Sequence, residues 1–119
     1  MVGVGAPPVI AASDSASSGT LLTIKFRDPG HKTVVRTLRC DPAGGNHPRA
    51  AKACAALHRF KNWHEPVAKN RACTLIYGGP QTATVEGRWK GRWVEGSFNR
   101  LGGCEIERWA KVGPVLNVR

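Results

Sequence analysis

Four cysteines are the residues whose chemistry the sequence exposes most directly. They are Cys40, Cys54, Cys73 and Cys104 in a chain of 119 residues, and none forms the C-x-x-C pair of a zinc ribbon or a redox site. An even number of cysteines in a short chain predicts disulfides, and therefore an oxidising compartment. Of the three possible pairings, we favour Cys40–Cys54 with Cys73–Cys104 because these loops are local and do not interlace, although the sequence alone does not prove it.

The four histidines do not form the pattern that a metal site or acid–base catalysis requires. His31, His47, His58 and His64 fall in a turn, at a helix start, in a helix and in a loop, so solvated or helix-capping roles are expected. A small basic ribonuclease would need a histidine or glutamate base beside a cation that stabilises a phosphate. No such pair stands at a suitable spacing, so we predict neither an enzyme nor a metal or cofactor site.

The segment around the third cysteine offers a different chemistry, that of peptide recognition. Residues 61–80 show neither helical nor strand periodicity, which predicts one long loop of the kind that carries function. Within it, residues 74–77 prefer an extended backbone and are normally buried. For residues 75–77, a core strand and an exposed segment fit the pattern about equally. If they are exposed, a protease could add the segment to its cleft as a strand, with Leu75 in an apolar pocket.

A disulfide at Cys73 would make such a segment an inhibitor rather than a substrate. A loop held rigid in its bound shape loses little entropy on binding. Closing the 31-residue separation between Cys73 and Cys104 should also stabilise the fold by roughly 3 to 4 kcal/mol. The same bond would hold the two ends of the loop together after cleavage.

Two hairpins are predicted on either side of this loop. Residues 20–27 alternate between apolar and polar side chains and are followed, after a turn, by the β-branched residues 33–40, as in an antiparallel hairpin. Residues 82–89 and 92–99 flank Lys-Gly, a two-residue hairpin connection.

One main helix and two short elements complete the expected fold. Pro48 begins a helix over residues 48–60, since proline suits the first helical position. The inward face of this helix should contain Ala50, Ala53, Cys54 and Leu57. Residues 105–111 predict a short second helix, and residues 115–118 predict an edge strand. The fold class is therefore α+β, an antiparallel sheet of about five strands with both helices packed on one face.

Composition restricts the partners and the compartment. Lys and Arg number 18 against 8 acids, a net charge of +10, which would concentrate any anionic partner. Residues 1–19 are nearly devoid of charge and predict a flexible arm before a single domain over residues 20–119. Prolines interrupt the N-terminal apolar stretch, so we interpret the chain as a mature secreted protein. No apolar run reaches the roughly 20 residues that cross a bilayer, so no membrane partner is expected.

From about Leu21 to Val118, the sequence resembles the Streptomyces subtilisin inhibitor family. The segments that carry the resemblance are Leu38-Arg39-Cys40-Asp41-Pro42, Gly45-Asn46-His47-Pro48, Ala53-Cys54-Ala55-Ala56-Leu57, Cys73-Thr74-Leu75-Ile76-Tyr77, Val85-Glu86-Gly87-Arg88-Trp89-Lys90-Gly91 and Gly103-Cys104-Glu105. The combination is specific because all four cysteines fall in register with a helix that begins at His-Pro.

The resemblance implies a secreted inhibitor of subtilisin-like serine proteases that acts as a tight-binding, slowly cleaved substrate mimic. It implies that Leu75 is the primary specificity residue and that Leu75–Ile76 is the bond offered for cleavage. The reactive loop would comprise Ala72, Cys73, Thr74, Leu75, Ile76 and Tyr77. The favoured disulfide pairing and a homodimer formed through the sheet are implied as well.

Three further expectations accompany this resemblance. Some relatives act on metalloproteases, so a secreted metalloprotease is a second candidate target. The chain departs from the family at Ala72, where members often carry a larger apolar residue. It also departs at the two glycines that follow Tyr77, which predict a looser end of the loop.

A basic nucleic-acid-binding module is the alternative function. Tryptophans near arginines are typical of the stacking platforms of single-strand binders. The tryptophans concerned are Trp63, Trp89, Trp93 and Trp109. Packing of tryptophan in a core or against a sheet is the commoner case, so nucleic acid is not the expected partner.

Overall fold

A computed structural model describes residues 19–119, which form one four-stranded antiparallel sheet and three helices. The strands are β1 (Thr20–Arg27), β2 (Val34–Cys40), β3 (Thr82–Trp89) and β4 (Arg92–Phe98). The helices are α1 (Ala50–Arg59), α2 (Gly103–Lys111) and α3 (Gly113–Leu116). The α+β class is confirmed. The arm expected at residues 1–19 lies outside the described residues except for Gly19.

Both predicted hairpins are confirmed, and they join into one sheet. The strand order is β2-β1-β3-β4, because β1 pairs with β2 on one side and with β3 on the other. One face of the sheet is apolar, as the alternation in β1 predicted: Leu22, Ile24 and Phe26 are buried. The helices cover this face.

The opposite face of the sheet is exposed and only partly polar. Leu21 on β1, Val35 on β2 and Trp93 on β4 all point to solvent there. Trp93 is 62% exposed. Lys25 lies opposite Val35 and Arg88 lies opposite Trp93 in the register, so these apolar side chains stand among charged ones.

Helix α1 begins at Ala50, two residues later than the sequence predicted, because His47 organises the preceding turn. The Nδ1 atom of His47 accepts the Arg49 amide hydrogen at 2.9 Å, and its Nε2 donates to the carbonyl oxygen of Val115 at 2.8 Å. His47 therefore orders the turn before the helix and is buried rather than solvated. Burial lowers the pKa of this imidazole, and the nearby charges of Arg49 and Arg36 act in the same direction.

The fifth strand predicted at residues 115–118 is wrong, because that segment begins inside helix α3. Pro114 occupies the first turn of the helix, where its missing amide hydrogen has no partner to lose. Val115, Leu116 and Val118 are all buried in the core, and the carbonyl of Val115 is already engaged by His47. The sheet therefore has four strands. Helix α2 is also longer than expected and starts at Gly103.

The predicted disulfide pairing is confirmed. Cys40–Cys54 links the end of β2 to α1 across a Cα–Cα distance of 5.6 Å. Cys73–Cys104 links the long loop to the first turn of α2 across 5.4 Å. The second bond places the segment after Cys73 beside the start of α2.

No helix within residues 19–119 is long and apolar enough to cross a membrane.

Candidate functional site

The loop predicted for recognition lies on the surface. Every residue from 71 to 77 is exposed, and the side chain of Leu75 is fully exposed. Ile76 and Tyr77 are more than half exposed. The alternative of a buried strand over residues 75–77 is therefore wrong, and Leu75 forms the tip of an apolar projection.

Backbone hydrogen bonds hold the loop on both sides of Leu75. The amide of Gly103 donates to the carbonyl oxygen of Thr74 at 2.9 Å, and the amide of Gly102 donates to that of Ile76 at 2.6 Å. Further along, the amide of Gly78 donates to the carbonyl oxygen of Arg100 at 2.7 Å. The Leu75–Ile76 peptide bond therefore lies between two carbonyl groups whose positions are set by neighbouring glycines.

Two of these glycines are required by the geometry. Gly102 has a φ of 98° and a ψ of 154°, a region that side chains with a Cβ rarely enter. Gly78 packs so closely that a Cβ would lie 2.8 Å from the side chain of Ile106. The expectation that this end of the loop is loose is therefore wrong at Gly78, where the missing side chain allows a close and hydrogen-bonded approach.

Helix α2 holds the other end of the loop through two side chains one turn apart. Cys104 forms the disulfide with Cys73, and Glu107 accepts a 2.7 Å hydrogen bond from the guanidinium of Arg71. That bond and the charge of Arg71 hold the pKa of the Glu107 carboxyl below its usual value. Arg71 and Cys73 both precede Leu75 in the chain, so the segment that leads to Leu75 is fixed to one face of α2.

Arg108 fixes α2 itself to the rest of the protein. Its guanidinium lies over the ring of Phe98, with Cζ 4.1 Å from the ring centroid, and donates to the carbonyl oxygens of Glu65 and Ser97. Burial lowers the pKa of this guanidinium, while Glu105 beside it opposes the shift. The loop is therefore attached to a helix that is docked on β4.

The arrangement suits recognition rather than chemistry by the protein's own side chains. Within residues 19–119, no three His, Cys, Asp or Glu side chains come together in a way that could hold a metal ion. Sequence reasoning identified the loop but missed Gly102, Gly103 and Arg100 as the residues that hold it. A signal was available, since two glycines directly precede Cys104 and the favoured disulfide brings them beside Thr74.

The tryptophans do not assemble a stacking platform. Trp63 and Trp89 are buried and pack edge to face at 5.9 Å, and Trp109 is half-buried against Phe26. Among the described residues, Trp93 alone of the four is largely exposed. Core and sheet packing, the commoner role, therefore accounts for three of them.

Comparisons with known proteins agree with the geometry. The family model described as subtilisin inhibitor-like matches residues 16–100. Subtilisin inhibitor-like protein 1 from Streptomyces cacaoi is 39% identical over 87 residues, which cover 67% of this chain and 74% of that protein. A subtilase-type protease inhibitor from Streptomyces coelicolor is 34% identical over 95 residues, which cover 75% of this chain and 65% of that protein.

A solved structure shares the fold. It is a crystal structure of sermetstatin from Streptomyces caespitosus in complex with subtilisin from Bacillus licheniformis, matched with a TM-score of 0.50 and 23% identity. The match covers 84% of this chain and 97% of the other. The family model and the Streptomyces cacaoi relative confirm the family that the cysteine register and the loop suggested, and the chain belongs to the subtilisin inhibitor-like family.

Proposed function

We propose that the protein inhibits subtilisin-like serine proteases by presenting residues 72–77 as a substrate that is cleaved very slowly. The observation that carries the proposal is the full exposure of Leu75 between two hydrogen-bonded carbonyl groups. A protease cleft binds extended backbone and selects one side chain in a pocket, and Leu75 suits an apolar pocket. The names of the relatives, which are inhibitors rather than enzymes, support this function.

Slow cleavage follows from what holds the two ends of the scissile bond. After a cut between Leu75 and Ile76, the new carboxyl end at Leu75 stays near α2. The hydrogen bond between Thr74 and Gly103 and the Cys73–Cys104 disulfide hold it there. The new amino end at Ile76 stays near Gly102, because the amide of Gly102 donates to the carbonyl oxygen of Ile76. Because the new amine does not diffuse away, it can re-form the peptide bond. A loop ordered before binding also avoids a cost of roughly 1 to 2 kcal/mol for each residue that would otherwise be fixed.

Titration of the protein into subtilisin, with a peptide substrate as reporter, tests the proposal. We expect activity to fall almost stoichiometrically, and mass analysis of the complex to find any cut at Leu75–Ile76. Full subtilisin activity in the presence of a large molar excess of the protein would refute inhibition. A cut elsewhere would show that the reactive bond is not Leu75–Ile76.

Leu75→Lys tests the specificity residue. The substitution should weaken inhibition of subtilisin and improve inhibition of trypsin-like enzymes, since their primary pockets accept a cation. Ala55→Lys is a matched control, because it introduces the same charge at an exposed residue of α1, outside both the loop and the outer face of the sheet. Equal target profiles for wild type and Leu75→Lys would mean that another residue fills the primary pocket.

A homodimer is the second part of the proposal. A second copy packed on the outer face of the sheet would cover Leu21, Val35 and Trp93, whose exposure supports it. Secretion is proposed as well, and the two disulfides support it, since such bonds persist in oxidising compartments. Inhibition of a secreted metalloprotease rests on the family resemblance alone and is tested by the same titration with that enzyme class.

The alternative, a nucleic-acid-binding module, is less well supported. Single-strand binding needs several exposed aromatic rings in a row, and the described residues offer only Trp93 among the tryptophans. The positive charge would still give weak, salt-sensitive binding. A labelled oligonucleotide that is not shifted even at low salt would rule this function out.

A further inference from the structure

A cleft of about 320 Å³ lies away from the exposed loop, between the C-terminal segment, α2 and the end of β1. Phe26 and Trp109 line it and pack edge to face, with ring centroids 6.2 Å apart. Arg100 and Arg119 line it too. Its volume is at the lower end of the range of ligand pockets, which is about 300 to 1,000 Å³.

Each arginine lies against one of the two aromatic rings. The Cζ of Arg100 is 5.6 Å from the centroid of Trp109, and the Cζ of Arg119 is 4.7 Å from that of Phe26. A guanidinium that stacks on a ring keeps its N–H donors in its own plane, where they remain able to bind an acceptor. The rings therefore hold two such groups at the same cleft.

The positive charge of the cleft is balanced only in part. The residues that line it include these two arginines and no aspartate or glutamate. Arg119 pairs with Asp28 at 2.9 Å, but Arg100 has no carboxylate partner among the described residues. The Nε of Arg100 is also buried without a hydrogen-bond partner. A partly desolvated cation without a counter-ion is unfavourable, so an anion in the cleft would improve its environment.

A second polar group at the cleft is also unsatisfied. The Oε1 of Gln81, which lines the same cleft, is buried with no partner among the described atoms. Buried polar groups in native proteins are normally paired with protein or with bound water. This oxygen is an acceptor, so it needs a donor such as a bound water rather than the anion itself, and the Nε2 atom of Gln81 already donates to the carboxylate of Asp28 at 3.5 Å.

We propose that this cleft is a binding site for a small oxyanion, a phosphate or a carboxylate group, held between Arg100 and Arg119. Guanidinium groups bind both kinds of oxyanion through paired, charge-assisted hydrogen bonds. The site is distinct from the loop at residues 72–77, and its existence does not depend on protease inhibition.

The test is a titration of the full chain with sodium phosphate, and separately with sodium acetate, against sodium chloride at equal ionic strength. The Nε–H signals of the arginines, followed by NMR, report binding at named residues. We expect a saturable shift of the Arg100 and Arg119 signals with phosphate, acetate or both. The salt that produces the shift identifies the oxyanion. Shifts that are absent, or that chloride reproduces, would overturn the proposal.

Matched variants separate binding in the cleft from the general effect of net charge. Arg100→Gln should weaken binding at least tenfold, and it keeps the backbone bond from Gly78. Arg92→Gln removes the same charge from an exposed residue on β4 and should leave binding unchanged. Equal loss in both variants would mean that the anion responds to overall charge and would refute a specific site. Circular dichroism establishes that both variants fold.

An anion bound in the cleft should also affect cleavage of the loop, and this expectation rests on the proposed function. The carbonyl group of Arg100 accepts the amide of Gly78, so an anion that immobilises Arg100 should also stiffen the end of the loop. Cleavage of Leu75–Ile76 by subtilisin should then be slower in the binding anion than in chloride, and Arg100→Gln should remove the difference. Binding without this difference would refute the coupling and leave the site intact. Binding without any inhibition would refute the proposed function alone.

Discussion

Replacing Gly102 by alanine tests whether the hydrogen bonds from Gly102 and Gly103 are what make the loop a poor substrate. The backbone angles of Gly102 lie in a region nearly exclusive to glycine, so a side chain there costs about 1 to 3 kcal/mol. The new Cβ would also lie 3.3 Å from the carbonyl oxygen of Thr74. The chain can relieve this strain only by moving the backbone away from Thr74 and Ile76. The two hydrogen bonds lost in that movement contribute together about 1 to 3 kcal/mol.

Because strain and bond energy are of similar size, Gly102→Ala should populate a loop in which these bonds are broken. A strain of about 2 kcal/mol shifts such an equilibrium roughly 30-fold, so we expect subtilisin to cleave Leu75–Ile76 at least about tenfold faster. The assay incubates the protein with a trace of subtilisin, stops the reaction with acid and measures mass. A cut molecule gains the mass of one water and separates into two pieces only after reduction of Cys73–Cys104.

Gly30→Ala is the matched control for this experiment. Gly30 also has a positive φ, 85°, but no heavy atom lies within 4 Å of a Cβ placed there, and it sits in the turn between β1 and β2. The control should lose a comparable stability, about 1 to 2 kcal/mol, without faster cleavage. The reasoning fails if Gly102→Ala is cut at the wild-type rate, or if Gly30→Ala is cut as fast as Gly102→Ala.

Three further outcomes are expected. Replacing both cysteines of Cys73–Cys104 or of Cys40–Cys54 by serine should lower the free energy of unfolding by a similar amount, about 4 and 3 kcal/mol respectively. Only the first change should speed cleavage of the loop in the subtilisin assay, and equal effects would contradict the loop-holding role. Because burial holds the pKa of folded His47 below the ordinary value of 6.5, unfolding takes up a proton as the pH falls through 6.5 toward the folded pKa. Urea unfolding at pH 7.5 and 5 should therefore show a loss of stability of about 1.4 kcal/mol per unit of pKa difference, which His47→Gln removes and the exposed control His31→Gln retains. Trp93→Glu should convert a dimer seen by light scattering into a monomer, and a mass that does not change would place the dimer contact elsewhere.

Much of the fold could be predicted because its signals are local. The alternation in β1 and the short connection between β3 and β4 each specify a hairpin without reference to the rest of the chain. The cysteine spacing favoured the pairing that the structure has. The segment at residues 115–118 failed because a short apolar run fits a strand and a buried helix equally well. In the structure, Val115 and Leu116 pack in the core beside α1, and the carbonyl oxygen of Val115 accepts a hydrogen bond from His47. Neither contact can be predicted from the segment itself.

The sequence by itself determined which residues the loop offers and that a disulfide would hold it, since residue type and cysteine position require no coordinates. The tertiary structure alone decided that Gly102 and Gly103 face Ile76 and Thr74. It also decided that the carbonyl group of Arg100 binds the amide of Gly78 while the side chain of Arg100 lines a cleft. These partners lie far apart in the chain, and hydrogen bonds between backbone groups leave no trace in residue identity except the glycines that allow close approach. Conformation, not composition, places Leu75 at the tip between two fixed carbonyl groups.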